Sequence, residues 1–285
     1  MRWNRDTAPP RPGTALRLTP RATLVLAPNA NAWTFEGTNT WVLADPGDPC
    51  CAVLDPGPDD DAHLAAILAA TAGRRIDAVW LTHGHHDHAE LAPRLAALAG
   101  APVRAASAKL ADQPLRDGER LRAGALEVEV LATPGHTGDS MCFLLPAEAS
   151  VLTGDTVLGR GAPVVRPGRL GQLLASLARL RDLVRAPGSV VLPGHGPPVA
   201  EPLAEIDRRL QARLRRVDQV ARAMAAGIDE PEALVEQLYP ELDPALRLAA
   251  RTSIEAAVAY LHEAPSRAVP MPAVPTRAVP ARAVP

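Results

Sequence analysis

The chain has 285 residues, 47% of them hydrophobic, and a formal net charge of −2. That length allows one large domain, or one domain with a small appendage, and the apolar share supports a substantial core. The near-neutral balance excludes a chain built as a whole to hold nucleic acid or an anionic membrane.

In chain order, residues 1–19 are proline-rich and read as an irregular lead-in. Short strands are expected at 22–27, 38–44 and 51–55, the last closed by Pro56-Gly57. Residues 61–72 have helical spacing, with Leu64, Ile67 and Leu68 on one face. A strand at 76–81 then runs into His83-Gly84-His85-His86-Asp87-His88, and one helix is expected from about 88 to 99. Another short strand is expected at 102–106. Neutral imidazole and carboxylate are the usual ligands of zinc and similar divalent ions, so the histidine stretch is a candidate metal site.

From Leu126 onward one pattern recurs. An apolar run at 126–131 is followed by Thr133-Pro134-Gly135-His136, Val151-Leu152 by Gly154-Asp155, and 190–192 by Pro193-Gly194-His195. Each time a buried-type strand ends in a glycine turn and the next residue is a potential ligand. Open α/β sheets gather ligands off their strand ends, so these residues can converge. Leu54-Asp55-Pro56-Gly57 follows the same pattern. Asp55 reads either as a turn-former or as a group that orients ligand histidines from behind.

A helix at 170–183 separates Asp155 from His195. Residues 201–264 lack strand signals and contain helical stretches at about 203–226, 231–238 and 244–262, which sets a boundary near Ala200. The last residues, 265–285, repeat Arg-Ala-Val-Pro and read as a disordered, partly polyproline II tail. The three cysteines, Cys50, Cys51 and Cys142, make no disulfide framework. With no signal-type N-terminus and no run of about 18 apolar residues, a soluble cytoplasmic protein with no membrane partner is expected. No oligomeric state follows from the sequence.

With His83, His85, Asp87, His88, His136, Asp155 and His195 in this order, the chain resembles the metallo-β-lactamase-fold hydrolases. The resemblance implies an α/β fold, a four-layer αββα sandwich over residues 20–200, with two divalent metal ions, zinc foremost, along one edge. It makes His83, His85 and His136 ligands of one ion and Asp87, His88 and His195 ligands of the other, with Asp155 bridging them. His86 fills a variable position. Asp87 and Asp155 are the catalytic candidates beside a metal-bound hydroxide. Gly37-Thr38-Asn39-Thr40, Thr133-Pro134-Gly135-His136-Thr137, Gly154-Asp155-Thr156 and Pro193-Gly194-His195-Gly196 are similar to the β-lactamase-like protein 2 group. That group carries a C-terminal winged-helix-like domain, here degenerate and helical at 201–264. Ala212-Arg213 stands where the group often has a His-Arg pair, and Ala162-Pro163 where small hydroxyl residues are usual.

The leading expectation is hydrolysis of a small-molecule thioester or ester, similar to glyoxalase II. Asp155 argues against an authentic zinc β-lactamase of the best-known type, which carries a cysteine ligand near that point. Cys142 sits in an apolar run and reads as core, and no Gly-x-Ser-x-Gly motif competes as nucleophile. The alternative is a single-stranded-RNA endoribonuclease or phosphodiesterase, with RNA as partner. It draws on six arginines at 201–226 (Arg208, Arg209, Arg213, Arg215, Arg216, Arg222) against four acids.

Overall fold

Most strands of this chain are apolar on both faces, and the layering follows from that. In the computed structural model, which describes residues 3–4, 6–111 and 113–263, two mixed sheets stack face to face and helices cover both outer faces. The first sheet contains β1 (Ala15–Arg17), β2 (Ala22–Leu26), β3 (Asn39–Leu43), β4 (Cys50–Leu54), β5 (Arg75–Trp80) and β6 (Val103–Arg104), in that spatial order. β1 to β4 pair antiparallel, and β4, β5 and β6 run parallel. Helix α1 (Asp61–Ala70) makes the crossover from β4 to β5, and α2 (His86–Ala89) and α3 (Ala92–Ala99) the one from β5 to β6. The second sheet, ordered β11-β10-β9-β8-β7, joins β7 (Arg120–Ala123), β8 (Leu126–Ala132), β9 (Met141–Leu145) and β10 (Ser150–Gly154) as an antiparallel meander. Helix α4 (Leu170–Leu183) then returns the chain to β11 (Val190–Pro193), parallel to β10.

The period-two alternation of a strand sends neighbouring side chains to opposite layers. Trp41, Leu54 and Trp80 face the second sheet, where Val130, Phe143, Leu152 and Leu192 meet them. Their neighbours Val42, Val53 and Val79 face outward onto Leu64 and Ile67 of α1 and Leu95 of α3. On the other side Leu131, Cys142, Val151 and Val191 pack against Leu173, Leu177 and Leu180 of α4. Aromatics are only 3% of the chain, yet Trp41, Trp80 and Phe143 are its largest fully buried side chains. Trp80 and Phe143 stack across the sandwich with centroids 5.9 Å apart.

The apolar cluster around α4 continues into the C-terminal helices α5 (Pro202–Ala225), α6 (Pro231–Leu238) and α7 (Arg247–Glu263), through Ile206, Leu210, Val220 and Ile254. No strand occurs among the described residues beyond Pro193, so no winged-helix hairpin is present there. The proline-rich tail lies outside the described residues. No described helix is long and apolar enough to cross a membrane.

Two expectations are corrected. The single helix expected over 88–99 is two, α2 and α3, broken at Glu90-Leu91. A continuous helix would put Pro93 in its interior, where it lacks the amide hydrogen and clashes with the preceding turn. The chain instead restarts with Pro93 in the first turn of α3, and Leu91 N donates to Gly57 O at 3.0 Å. The lead-in is also not wholly irregular, because β1 pairs with β2 through Ala15↔Val25. A three-residue edge strand reading Ala-Leu-Arg is too short and too polar for its period to show. β7 and β9 are additions to the expected strands.

Candidate metal centre

β8, β10 and β11 point the same way, since two antiparallel steps separate β8 from β10 and β11 is parallel to β10. Their C-terminal ends therefore deliver His136, Asp155 and His195 to one edge of the second sheet. The end of β5 delivers Thr82, His83 and His85 from the first sheet, and α2 adds Asp87 and His88. The two edges are stitched directly. Met141 N donates to Thr82 O at 2.7 Å and Asn39 N to Gly194 O at 2.8 Å. The Asn39 amide donates to Pro193 O at 2.9 Å and to Gly196 O at 2.8 Å.

All seven expected residues come together, in overlapping groups whose candidate ligand atoms lie within 4.8 Å of one another. In the first, His85 Nδ1 is 3.0 Å from His83 Nε2 and 3.1 Å from His136 Nε2. In the second, His195 Nε2 is 3.2 Å from both His88 Nε2 and Asp87 Oδ2. Asp155 lies between them, with Oδ2 3.5 Å from His136 Nε2 and Oδ1 3.5 Å from His88 Nε2 and 3.6 Å from His195 Nε2. Metal–nitrogen bonds of about 2.0–2.1 Å in a tetrahedral shell set ligand atoms about 3.3 Å apart, so these spacings fit. His86 is exposed and belongs to neither group.

The outer nitrogens decide which lone pairs face the centre. Backbone carbonyls only accept, so His136 Nδ1 donates to Val164 O at 3.0 Å and His195 Nδ1 to Gly37 O at 3.2 Å. Thr82 Oγ1 donates to Asp55 Oδ2 at 2.7 Å, so its oxygen is left to accept from His83 Nδ1 at 3.0 Å. His88 Nδ1 donates to Asp55 Oδ2 at 2.9 Å. In those tautomers four bare Nε2 atoms point inward, an arrangement that asks for a cation. Asp155 Oδ1 is likewise buried with no hydrogen-bond donor. Burial and the neighbouring histidines push the His83 imidazole well below its usual range. Burial opposes charge on His88 too, yet Asp55, Asp155 and Asp87 surround it with a negative field that favours positive charge at this point, on the ring or on a cation beside its Nε2. For Asp87 burial favours the neutral acid, but His195 and His88 outweigh it and keep the carboxyl ionised.

Asp55 is thus a support for the ligands, and its turn is strained, with φ +50. Its carbonyl accepts from Thr40 Oγ1 at 2.7 Å, and that hydroxyl meets His63 Nε2 at 2.9 Å. Asn39, Thr82, Thr40 and His63 were not expected at the site. Asn39 and Thr40 lie inside the Gly37-Thr38-Asn39-Thr40 motif without an obvious role, Thr82 directly precedes the histidine stretch, and His63 is a lone histidine in a helix with no signal at all. Ser140 closes the turn carrying His136 through Thr137 Oγ1 at 2.7 Å. Cys142 is buried and burial pushes its thiol up to about 12, which removes it as a nucleophile.

A cavity of about 790 Å³ opens on His85, Asp87, His136, Asp155 and His195. Its walls come from Trp33 and Phe35 before β3, from the segment Leu158 to Arg169, and from Leu246 and Ala249 around the start of α7. α5 fixes the middle wall. Arg209 donates to Leu158 O at 2.5 Å and Gly161 O at 2.9 Å, and Arg213 to Pro163 O at 2.5 Å. The remaining arginines of α5 are mostly occupied as well: Arg208 pairs with Glu205, Arg222 with Asp218, and Arg216 lies over the Tyr239 ring.

Residues 33–120 and 103–195 match the model of the metallo-beta-lactamase superfamily. The lactamase-like protein vrtG of Penicillium aethiopicum is 33% identical over 236 residues, covering 81% of this chain and 74% of that protein. The atrochrysone carboxyl ACP thioesterase of Aspergillus terreus is 31% identical over 221 residues, covering 76% and 67%. Among solved structures, a beta-lactamase domain protein from Burkholderia ambifaria superposes with a TM-score of 0.77 at 22% identity over 93% of this chain and 92% of its own.

Proposed function

The chain belongs to the metallo-β-lactamase superfamily of hydrolases, and we propose that it is a thioesterase of the glyoxalase II type with a dinuclear, zinc-preferring centre. The observation that carries this reading is the cavity itself: an apolar mouth of Trp33, Phe35, Pro163 and Leu246 leads straight onto the histidine–carboxylate cluster. The relatives named as acyl-carrier-protein thioesterases support it.

His83, His85 and His136 would hold one ion and Asp87, His88 and His195 the other, with Asp155 offering one oxygen to each. Bound there, such ions supply Lewis acidity and lower the pKa of water toward neutrality. The protein's own residues do the rest. Asp55 and the carbonyls of Gly37 and Val164 fix the imidazoles. Asp87, kept ionised and facing the cavity, would accept a hydrogen bond from the attacking water and orient it. A thiolate leaves with a conjugate-acid pKa near about 8.5, so no strong general acid is required. Residues 20–200 form the catalytic unit, and the described residues from 201 to 263 act as a helical unit that completes the cavity wall.

The phosphodiester alternative shares the metal chemistry, but the arginine-rich helix lends it little, because Arg209 and Arg213 point into the fold and Arg208 and Arg222 are paired on α5 itself. Metal analysis of the purified protein, with hydrolysis screens on thioesters, esters and single-stranded RNA, tests the choice. About two divalent ions per chain and thioester turnover are expected. Loaded protein that cleaves RNA but no thioester or ester sinks this reading.

A further inference from the structure

Arg166 and Arg169 line the same cavity as the candidate ligands. The segment Arg166-Pro167-Gly168-Arg169 is a tight turn: Arg169 N donates to Arg166 O at 3.2 Å, and Gly168 has φ +80. Proline at the second position and a left-handed glycine at the third are what a type II turn requires, and such a turn sets its first and last residues side by side. The backbone therefore starts the two side chains close together, and both line the one cavity. α4 starts immediately afterward, so its N-terminus adds partial positive charge to the same spot.

Neither guanidinium has a carboxylate or carbonyl partner among the described residues. Arg160 and Arg179, on either side in sequence, pair with Glu36 and Asp117. Arg166 is exposed and Arg169 half-buried. Arg169 lies flat over Gly138, where an added Cβ would stand 2.6 Å from Nη1. It thereby borders the turn that carries His136. Asp139, next to Gly138, lines the same cavity and bounds this cationic spot with opposite charge.

From this geometry we infer that Arg166 and Arg169 form an anion subsite for a carboxylate or phosphate on the thioester substrate, at a point away from the reacting carbonyl. The apolar walls take the uncharged body of the substrate, and the paired forks suit two oxygens of one anionic group. The subsite deepens the thioesterase reading and presupposes it for turnover, though not for binding.

Two matched pairs of compounds locate the anion. The glutaryl N-acetylcysteamine thioester and its distal methyl ester differ by a carboxylate charge on the acyl half, and acetyl phosphopantetheine and acetyl pantetheine differ by a phosphate on the thiol half. The metal-loaded enzyme is expected to prefer the anionic member of one pair by roughly tenfold in kcat/KM, the scale of one charge-assisted contact. That preference should shrink with added salt and collapse in the Arg166→Ala/Arg169→Ala double variant. The pair that shows it names the source of the anion. Affinities of the same four compounds as nonhydrolysable thioethers, read from tryptophan fluorescence, should follow the same order. If wild type discriminates in neither pair by turnover or binding, or the variant discriminates as wild type does, the subsite is wrong while thioester cleavage still stands. If no thioester is cleaved, the thioesterase reading falls, and the binding series alone decides the subsite.

Discussion

Asp55 Oδ2 sits 2.9 Å from His88 Nδ1 with both side chains buried, and the same carboxylate holds Thr82 through both its backbone amide and its hydroxyl at 2.7 Å. One residue at the end of β4 thereby positions His88 directly and His83 through Thr82. Asp55→Asn keeps a side chain that tolerates the left-handed turn but removes the charge. Metal affinity is expected to fall about 10- to 100-fold, the usual cost of losing such a partner, with little change in fold. Competition against a chelator measures it, and an unchanged affinity would take Asp55 out of the site.

Gly194 explains why a glycine precedes His195. A Cβ there would stand 2.6 Å from Asp155 Oδ1 and 2.8 Å from His88 Cε1. Neither neighbour can give way without leaving the cluster. Gly194→Ala should therefore reduce bound metal while far-UV circular dichroism stays native. Full metal content in the variant would show that the cluster relaxes around a methyl group.

The repeated strand–glycine–ligand pattern was legible because three separate constraints fall within a few residues: an apolar strand, a close approach at its end, and a ligand just past it. His136, Asp155 and His195 are found that way. What holds them was not legible. Thr40, His63 and Asn39 act through contacts to residues 15 to 157 positions away, which no local pattern encodes. The four-layer sandwich was an expectation carried by the family resemblance, since strands buried on both faces show no alternation. β1 and the break before Pro93 depend on edge pairing and on a backbone bond to Gly57.

Arg213 ties the helical unit to the cavity wall, reaching Pro163 O at 2.5 Å and Ser253 Oγ at 3.3 Å. Burial alone lowers its guanidinium pKa, a mark of how little solvent reaches it. Arg213→Met keeps most of the apolar stem but leaves the Pro163 carbonyl without its charged donor. The wall should loosen, so KM for thioesters is expected to rise several-fold, with metal content unchanged. An equal loss in kcat with KM unchanged would instead put Arg213 in the service of the metal ligands.

His63 carries the pH dependence least entangled with the metal ligands. It is 1% exposed, and burial pushes its imidazole down to about 4, only partly countered by Asp60. The native state therefore prefers neutral His63, while the unfolded chain takes up a proton near pH 6.5. Its stabilisation is fully present above about pH 6.5 and is lost as pH falls toward 4, amounting to about 2 kcal/mol between pH 7 and pH 5. His63→Gln keeps an amide that can donate to Thr40 Oγ1 but cannot titrate. Urea unfolding of both proteins at pH 7 and pH 5 should show the variant losing less stability than wild type by about that amount. Parallel losses in the two proteins would mean that His63 titrates normally in the folded state.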